Sequence, residues 1–371
     1  MACAHSLAAT CERGSLTEIF SGALVGADQP SKPQARAKQP RIELFFKTNT
    51  ELRERVRLLA AAGFTDFSLV NKREGDPLLE WIDTCLAEVP TSTVCAHYSI
   101  KYNRDKGGAN QTFRRFSAFL QTLGQCNYGT RAEVLLISGS GPKTPLSAVE
   151  CLEKLSHNPL HPPLGVAFNP YFENADQARE ERRRLVSKIA TRQIQTVWLQ
   201  FGSNTNLLAQ SLEWLRTQVD PELQPQRIVG SFFLPSEQLI AQQSSRPWNG
   251  VFLSQDYLSG PERAEAISRE ILCIYHKYGV EVLVEAPGVR SFQDVAALRS
   301  LLALPRPPNF EIPHILVDNA PEWDGVGELE SARTRGEETK GGRRGGGRGR
   351  GGARGGGRGG GRVQGGWAVK C

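Results

Sequence analysis

The sequence predicts a (βα)8 TIM barrel, an α/β fold in which eight parallel strands alternate with helices around one axis. Eight short segments rich in Val, Ile, Leu and Phe recur along the chain, and a helical pattern follows each of them. The alternations occupy about 265 residues, the usual size of such a barrel. The alternative is an open, doubly wound sheet, but Lys47-Thr48-Asn49-Thr50 follows the first strand in place of a glycine-rich dinucleotide-binding turn.

The predicted strands are apolar along most of their length, as expected of strands that are covered on both faces. They span residues 41–47, 66–70, 93–99, 133–138, 164–168, 196–201, 227–234 and 280–286.

The predicted helices repeat apolar residues at helical spacing. Gly63 follows the first helix as a C-terminal cap, and Asp76 precedes the second as an N-cap with Pro77 at the first helical position. The eight helices span residues 51–62, 77–87, 111–123, 145–155, 176–189, 206–217, 261–278 and 291–302.

Composition divides the chain into three regions. Residues 1–39 show little regular pattern and are predicted to be a disordered or targeting segment, residues 40–320 form the barrel domain, and residues 321–371 are a disordered tail. The first region contains Glu12, Glu18 and Asp28, whereas transit peptides are typically poor in acids. We expect a cytoplasmic protein, with a mitochondrial location as the alternative.

The tail holds the basic charge of the chain. Residues 340–371 contain nine of the 45 Lys and Arg residues and no acid, which leaves 36 basic against 39 acidic residues elsewhere. Glycine places few steric limits on the backbone. The planar guanidinium group of arginine can donate paired hydrogen bonds to phosphate and can stack on bases, as in RGG boxes. We predict contact with RNA or an acidic protein, and the alternative is a solubilising tail. The predicted RNA-binding residues are Arg343, Arg344, Arg348, Arg350, Arg354, Arg358 and Arg362.

Other site classes are not favoured. No apolar run approaches the roughly 20 residues that span a bilayer. The eight cysteines form no CxxC pair and indicate a reducing compartment. His157 and His161 lie in a proline-broken loop without an evident third ligand, so we predict no metal site.

Glu43 is the strongest candidate for a functional residue. It lies inside the apolar strand Arg41-Ile42-Glu43-Leu44-Phe45-Phe46-Lys47, and a carboxylate there is costly to bury unless it is paired or used. At the C-terminal mouth of a barrel it would lie where such folds place their catalytic residues. The alternative is a core glutamate that pairs with an interior Lys or Arg.

Four segments carry a resemblance to a known family. They are Ile42-Glu43-Leu44-Phe45-Phe46-Lys47, Cys95-Ala96-His97-Tyr98-Ser99, Leu199-Gln200-Phe201 and Gly230-Ser231-Phe232-Phe233-Leu234-Pro235-Ser236. In this order, over about residues 40–305, the chain resembles the flavin-binding barrel of the methylenetetrahydrofolate reductases. The corresponding strands of that family read Phe-Glu-Phe-Phe-Pro-Pro, Pro-His-Leu-Thr, Thr-Gln-Phe and Gly-Ile-Leu-Pro-Val.

The resemblance implies a flavoprotein that uses FAD to pass hydride from NAD(P)H to a folate-type one-carbon carrier. It makes Glu43 the general acid, because the imidazolidine ring opens only after an amine nitrogen gains a proton. It makes Gln200 a substrate-binding amide and His97 a cofactor-binding residue. The resemblance also makes Lys188 the residue that contacts the cofactor's phosphates, provided that this chain has one inserted residue between Lys188 and Gln200 relative to the family.

Several positions depart from the family pattern. The fourth strand ends in Ile137-Ser138-Gly139-Ser140, where the family has Leu-Arg-Gly-Asp, so Ser140 replaces the aspartate that helps to hold folate. Asn71 replaces a threonine, and Phe168 opens the segment that replaces Tyr-Pro-Glu-x-His-Pro. By position, Ser140 is a predicted substrate-binding residue, and Asn71 and Phe168 are predicted cofactor-binding residues.

Two functions follow. The first is a divergent reductase of a folate-type carrier. The second is a barrel without catalysis that serves as a structural subunit or an RNA-associated scaffold, as a homo-oligomer or within a larger complex.

Overall fold

Eight parallel strands form a closed barrel in chain order, as the sequence predicts. The computed structural model describes residues 39–126, 128–139, 145–155, 158 and 160–303. The strands are β1 Arg41–Leu44, β2 Asp66–Val70, β3 Thr93–Ser99, β4 Ala132–Ile137, β5 Leu164–Phe168, β6 Thr196–Leu199, β7 Arg227–Phe233 and β8 Glu281–Glu285.

Helices connect the strands over the outside of the barrel. They are α1 Asn49–Ala61, α2 Leu78–Glu88, α3 Ala109–Gln125, α4 Ala148–Lys154, α5 Ala175–Ala190, α6 Thr205–Gln218, α7 Glu237–Ser245, α8 Gln255–Leu258, α9 Pro261–Tyr278 and α10 Phe292–Ala303. No helix among the described residues is long and apolar enough to cross a membrane.

Two helices, α7 and α8, were not predicted from the sequence. Helix α7 buries only Leu239, Ile240 and Gln243, so its apolar stripe is weak. Its start is nevertheless well defined, because the Ser236 side chain accepts a hydrogen bond from the Leu239 amide.

The predicted start of the second helix was wrong by one residue. Helix α2 begins at Leu78, and Pro77 takes the N-cap position without a side-chain hydrogen bond. Asp76 does not cap it, because its carboxylate accepts from the amides of Lys72 at 2.7 Å and Arg73 at 3.0 Å. Strands β1 and β6 are also shorter than predicted. The predicted terminal segments and residues 304–320 lie outside the described residues.

Side chains alternate between the barrel interior and the helices. Tyr98 of β3 faces outward and packs against Phe116 and Phe119 of α3. The middle of the interior is an apolar cluster of Cys95, Leu135, Ile137, Trp198, Val229 and Leu283. Gly165 of β5 leaves room for the Trp198 indole, which a Cβ at that position would overlap.

A network of charges closes the N-terminal end of the barrel. Glu133 of β4 lies 2.6 Å from Arg41 Nη2 of β1 and 3.0 Å from Arg227 Nη1 of β7. Arg227 Nη2 also lies 2.7 Å from Glu281 of β8. Because this end is filled, polar groups that could meet a ligand lie at the C-terminal mouth.

Candidate active site

Glu43 and Glu285 lie side by side at the seam of the barrel. Strands β1 and β8 close the sheet with Glu43 directly opposite Glu285 in the parallel register. Neighbouring residues in register point to the same face of a sheet, so both carboxyl groups enter the interior. Both residues are buried, with exposed fractions of 2% and 5%. The C-terminal half of the barrel therefore holds a pair of buried carboxyl groups.

This pair retains a proton near neutral pH. Burial raises the pKa of Glu43 to about 7, although the charge of Lys72 opposes the shift. Burial and the neighbouring Glu43 charge raise the pKa of Glu285 well above its usual range, and a hydrogen bond with Ser231 opposes that shift. Two like charges at this separation in a low-dielectric interior are strongly unfavourable, so one carboxyl group stays neutral.

Lys72 provides the compensating positive charge. It follows β2 at the mouth, and its ammonium lies 4.1 Å from the centre of the Phe45 ring. Burial lowers the pKa of Lys72, while the charges of Glu43, Asp76 and Glu285 raise it. The pairing of Glu43 with an interior lysine was one of the two sequence-based hypotheses, and here the lysine stands beside a second carboxyl group.

Four buried polar atoms of the upper interior have no hydrogen-bond partner among the described residues. They are Glu43 Oε1, Ser68 Oγ, His97 Nε2 and Ser99 Oγ. A buried polar atom without a partner costs about 1–3 kcal/mol. Strands β1, β2 and β3 thus present a surface that is suited to polar groups of a ligand or to water.

His97 is an uncharged member of this group. Burial, with smaller contributions from Arg41 and Lys72, lowers the pKa of His97 to about 3. Its ring packs edge-on against Trp198 at a centroid distance of 5.8 Å. The neutral imidazole offers one donor and one acceptor but cannot supply a positive charge to a phosphate.

Gln200 lies on the opposite side of the mouth. Its backbone N–H donates a hydrogen bond to Phe168 O at 2.8 Å, which continues the β5–β6 ladder by one residue. Trp198 faces inward, so alternation directs Gln200 inward as well. The loop after α7 passes close to the side-chain amide of Gln200, because a Cβ atom added at Gly250 would lie 4.0 Å from Gln200 Nε2.

The other predicted cofactor residues do not join the group. Asn71 organises the loop after β2, since its Nδ2 donates to Arg73 O at 2.9 Å and its Oδ1 accepts from Asn103 at 2.7 Å. Lys188 of α5 donates to Ala167 O at 2.8 Å. Phe168 faces the helices and packs against Trp214 of α6 at 6.0 Å.

Two sets of predicted residues cannot be placed. Ser140 lies outside the described residues, as do the tail arginines from Arg343 to Arg362. The described residues contain no group of three His, Cys, Asp or Glu side chains that could hold a metal ion.

Sequence reasoning missed Glu285 and Lys72. Glu285 carries the same signal as Glu43, because it ends the apolar segment Val282-Leu283-Val284. Lys72 has no comparable signal, since a lysine after a strand is usually exposed.

Comparison with known proteins gives no family. No family model matches the chain, and no curated protein matches its sequence. Similar solved structures include an uncharacterised Clostridium thermocellum protein that binds two copies of 5-methyl-5,6,7,8-tetrahydrofolic acid, with 14% identity, 71% of this chain and 94% of that chain covered, and a TM-score of 0.45.

Two further structures are similar to this chain. A GH10 endoxylanase from a sugarcane soil metagenome is 13% identical in sequence, with a TM-score of 0.44. The match covers 66% of this chain and 84% of the endoxylanase chain. Orotidine 5'-monophosphate decarboxylase from Sulfolobus solfataricus is 11% identical in sequence, with a TM-score of 0.38. The match covers 71% of this chain and 96% of the decarboxylase chain. Likenesses at this level do not decide what the chain binds, so the functional argument rests on its own residues.

Proposed function

We propose that the chain is an enzyme that transfers a proton to a folate-type one-carbon carrier at the C-terminal mouth of its barrel, with Glu43 as the general acid. The observation that carries the proposal is the buried Glu43–Glu285 pair, which holds a proton close to neutral pH. A general acid is most effective when its pKa lies near the working pH.

The pair suits the opening of an imidazolidine ring. The ring opens when an amine nitrogen gains a proton, and Glu43 can donate this proton and be reprotonated from solvent near pH 7. After the transfer, Lys72 stabilises the Glu43 carboxylate. Burial and the Glu43 charge raise the pKa of Glu285 well above its usual range, and a protonated Glu285 does not repel that carboxylate.

Substrate orientation is assigned to Gln200 and His97. The Gln200 amide offers both a donor and an acceptor, which matches the paired donors and acceptors of a pterin edge. The unpartnered His97 Nε2 offers one further hydrogen bond from β3. These groups bind and orient, whereas Glu43 moves the proton.

FAD and NAD(P)H are proposed on the family resemblance alone. A bound flavin would supply the hydride chemistry. The four residues that the resemblance assigns to the flavin do not form a cradle for it: Phe168 faces the helices, Lys188 and Asn71 hold main-chain and loop groups, and His97 is neutral. We therefore derive no step through a flavin.

The test combines flavin absorbance with turnover. The chain is mixed with FAD, the visible spectrum is followed as NAD(P)H is added, and conversion of methylenetetrahydrofolate to its methyl form is assayed. We expect Glu43→Gln to lower turnover by at least about 100-fold, because a general acid contributes 10²–10⁴-fold. Reduction of bound flavin by NAD(P)H should be unchanged, because no proton is delivered to the carrier in that step.

Glu54→Gln removes an exposed carboxylate of α1 and serves as the control. Wild-type turnover in Glu43→Gln would contradict the role of Glu43. A chain that binds neither FAD nor the carrier would favour the alternative function, a barrel that acts as a structural subunit or scaffold.

A further inference from the structure

Lys72 is an amine held among carboxyl groups at the mouth of the barrel. The parallel register places Ser68 of β2 beside Glu43 of β1 on the same face of the sheet. Side chains alternate along a strand, so every second residue after Ser68, and with it Lys72, is directed inward. The ladder with β3 continues past the end of β2, because the Asn71 N–H donates to His97 O at 3.3 Å. Lys72 therefore extends the interior face of β2 toward the mouth.

The loop that carries Lys72 is fixed by its own hydrogen bonds. The Asp76 carboxylate accepts from the Lys72 N–H at 2.7 Å and from the Arg73 N–H at 3.0 Å. Asn71 Oδ1 accepts from Asn103 Nδ2 at 2.7 Å, which ties this loop to the β3–α3 loop. A reactive side chain is most effective when its surroundings hold it in place before a substrate arrives.

The surroundings of the ammonium favour loss of its proton. Lys72 is half-buried, and the Phe45 ring covers its Nζ at 4.1 Å from the ring centre. Burial is the largest influence and lowers the pKa of Lys72, whereas the nearby carboxylates raise it. In a low-dielectric interior, transfer of one proton from Lys72 to a carboxylate replaces two charges with a neutral amine and a neutral acid. A neutral lysine amine is a nucleophile toward carbonyl carbon.

A proton donor for such a reaction lies at the same site. Burial raises the pKa of Glu43 to about 7, so its carboxyl group exchanges a proton near neutral pH. Glu43 Oε1 is buried and has no hydrogen-bond partner among the described residues. Condensation of an amine with a carbonyl compound requires these two groups, because one attacks the carbon and the other protonates the departing oxygen.

Space for a small molecule lies next to Lys72. Phe45, whose ring covers the ammonium, also lines a cavity of about 450 Å³ between the β1–α1 loop, α7 and the β8–α10 loop. This volume lies within the usual range for small-molecule sites, about 300–1,000 Å³.

The charges of the site favour an uncharged substrate. Glu43 and Glu285 face a single lysine, so a carboxylate or phosphate on the substrate would add to the negative charge. Ser68 Oγ, His97 Nε2 and Ser99 Oγ are buried without partners among the described residues. These atoms suit hydrogen bonds with a hydroxyl group of the substrate.

We propose that Lys72 forms a Schiff base with a small, uncharged hydroxyaldehyde, with Glu43 as the proton donor. The Lys72 amine adds to the carbonyl carbon, and a proton moves from nitrogen to oxygen to give a neutral carbinolamine. Glu43 protonates its hydroxyl group, water leaves, and the nitrogen lone pair forms the C=N bond. The products are a protonated imine, one water and the Glu43 carboxylate, which pairs with the imine. This activity goes beyond proton transfer to the carrier and does not require it.

Reductive trapping detects the imine. The full chain is incubated with glycolaldehyde and sodium cyanoborohydride, which converts imines to stable secondary amines, and peptide mass mapping locates the modified lysines. We expect Lys72 to react at least about 10-fold faster than Lys47, an exposed lysine at the same mouth, because desolvation and an adjacent acid activate the amine. In chain unfolded by urea, the two lysines should react equally.

Glyoxylate, the carboxylate counterpart of glycolaldehyde, tests the substrate class. The ratio of Lys72 to Lys47 modification should be at least about 10-fold lower with glyoxylate, because the carboxyl pair repels an anion. Equal ratios for the two aldehydes would overturn the restriction to uncharged substrates.

Two variants test the assigned roles. Lys72→Arg keeps the positive charge but has no primary amine, so this position should remain unmodified while Lys47 reacts as in wild type. Glu43→Gln should abolish the preference for Lys72, because a positioned general acid contributes about 10²–10⁴-fold. Glu54→Gln, which removes an exposed carboxylate of α1, is the control and should behave as wild type.

Each outcome decides part of the proposal. Equal modification of Lys72 and Lys47 in the folded wild type would overturn the Schiff base and leave the proposed function in place. A preference for Lys72 that survives Glu43→Gln would overturn the role of Glu43 as donor. A preference that Glu43→Gln removes and Glu54→Gln does not supports the proposal, whether or not the chain turns over the carrier.

Discussion

At the scale of single residues, the burial of Glu43 has meaning only together with Glu285. An isolated buried carboxylate is tolerated when a cation neutralises it. Here two carboxyl groups share one lysine, so full ionisation would leave an excess negative charge in the interior. The pair responds by holding a proton, which is the property that a general acid needs.

The raised pKa of Glu43 predicts a particular pH dependence of stability. Its pKa is about 7 in the folded chain against an ordinary value of 4.5, so the folded state binds more protons between these values. Stability from this group is therefore fully present below pH 4.5 and is lost as pH rises through 7. Glutamine cannot ionise, so Glu43→Gln should lose less stability than wild type between pH 5 and pH 8.

Urea unfolding of both proteins at several pH values measures this effect. Glu54→Gln, which removes an exposed carboxylate, should follow the wild-type curve. Parallel curves for wild type and Glu43→Gln would show that the folded chain does not raise the pKa of Glu43.

At the scale of strands and helices, the two ends of the barrel use charge differently. At the N-terminal end, Glu133 meets two arginines at 2.6 and 3.0 Å, and the network joins β1, β4, β7 and β8. At the mouth, carboxyl groups outnumber the cation, and several polar atoms of the described strands lack partners. The first arrangement stabilises the fold, whereas the second is suited to a ligand.

Glu133→Gln should therefore destabilise the barrel strongly. Glu133 is 6% exposed, and its loss leaves Arg41 and Arg227 without one of their counter-charges. Removing one partner of a buried ion pair costs about 3–5 kcal/mol. The free energy of unfolding in urea measures this cost.

Glu180→Gln is the matched control, because Glu180 pairs with Arg183 on an exposed face of α5. Its loss should change stability by no more than about 1 kcal/mol. Equal effects of the two substitutions would show that the N-terminal network contributes no more than a surface pair.

At the scale of the whole chain, sequence composition separates a basic tail from a mildly acidic remainder. The tail from residue 340 holds nine basic residues, and the remaining chain has a small acidic excess. We predict that the tail contacts RNA independently of the chemistry at the barrel mouth. Deleting residues 340–371 should abolish binding of a single-stranded RNA, and wild-type binding should weaken by about 0.7 log units per tenfold rise in salt for each phosphate contacted.

Replacing the seven tail arginines with lysine provides the control for stacking. Lysine keeps the charge and hence the salt dependence, but it lacks the planar group that stacks on bases. Unchanged RNA affinity and salt dependence after the deletion would contradict the prediction. Filter binding at several salt concentrations measures both quantities.

The sequence by itself determined the barrel and its first functional candidate. The alternation of strands and helices is visible in the spacing of apolar residues along the chain. The eight-stranded barrel was predicted from this spacing and is confirmed. Burial of Glu43 followed in the same way from its apolar neighbours. Helix α7 was missed because its short sequence is mostly polar, and its position depends on packing against the barrel.

Only the tertiary structure decided what surrounds Glu43. Strands that are covered on both faces are apolar on both faces, so their sequences do not show which side chains point into the barrel. The outward direction of Phe168 and the inward direction of Gln200 could therefore not be predicted. The opposition of Glu43 and Glu285 arises because the first and last strands meet when the sheet closes. The raised pKa of Glu285 depends on that closure, since the charge of Glu43 contributes to it. Lys72, in contrast, follows β2, which is the neighbour of β1 in chain order.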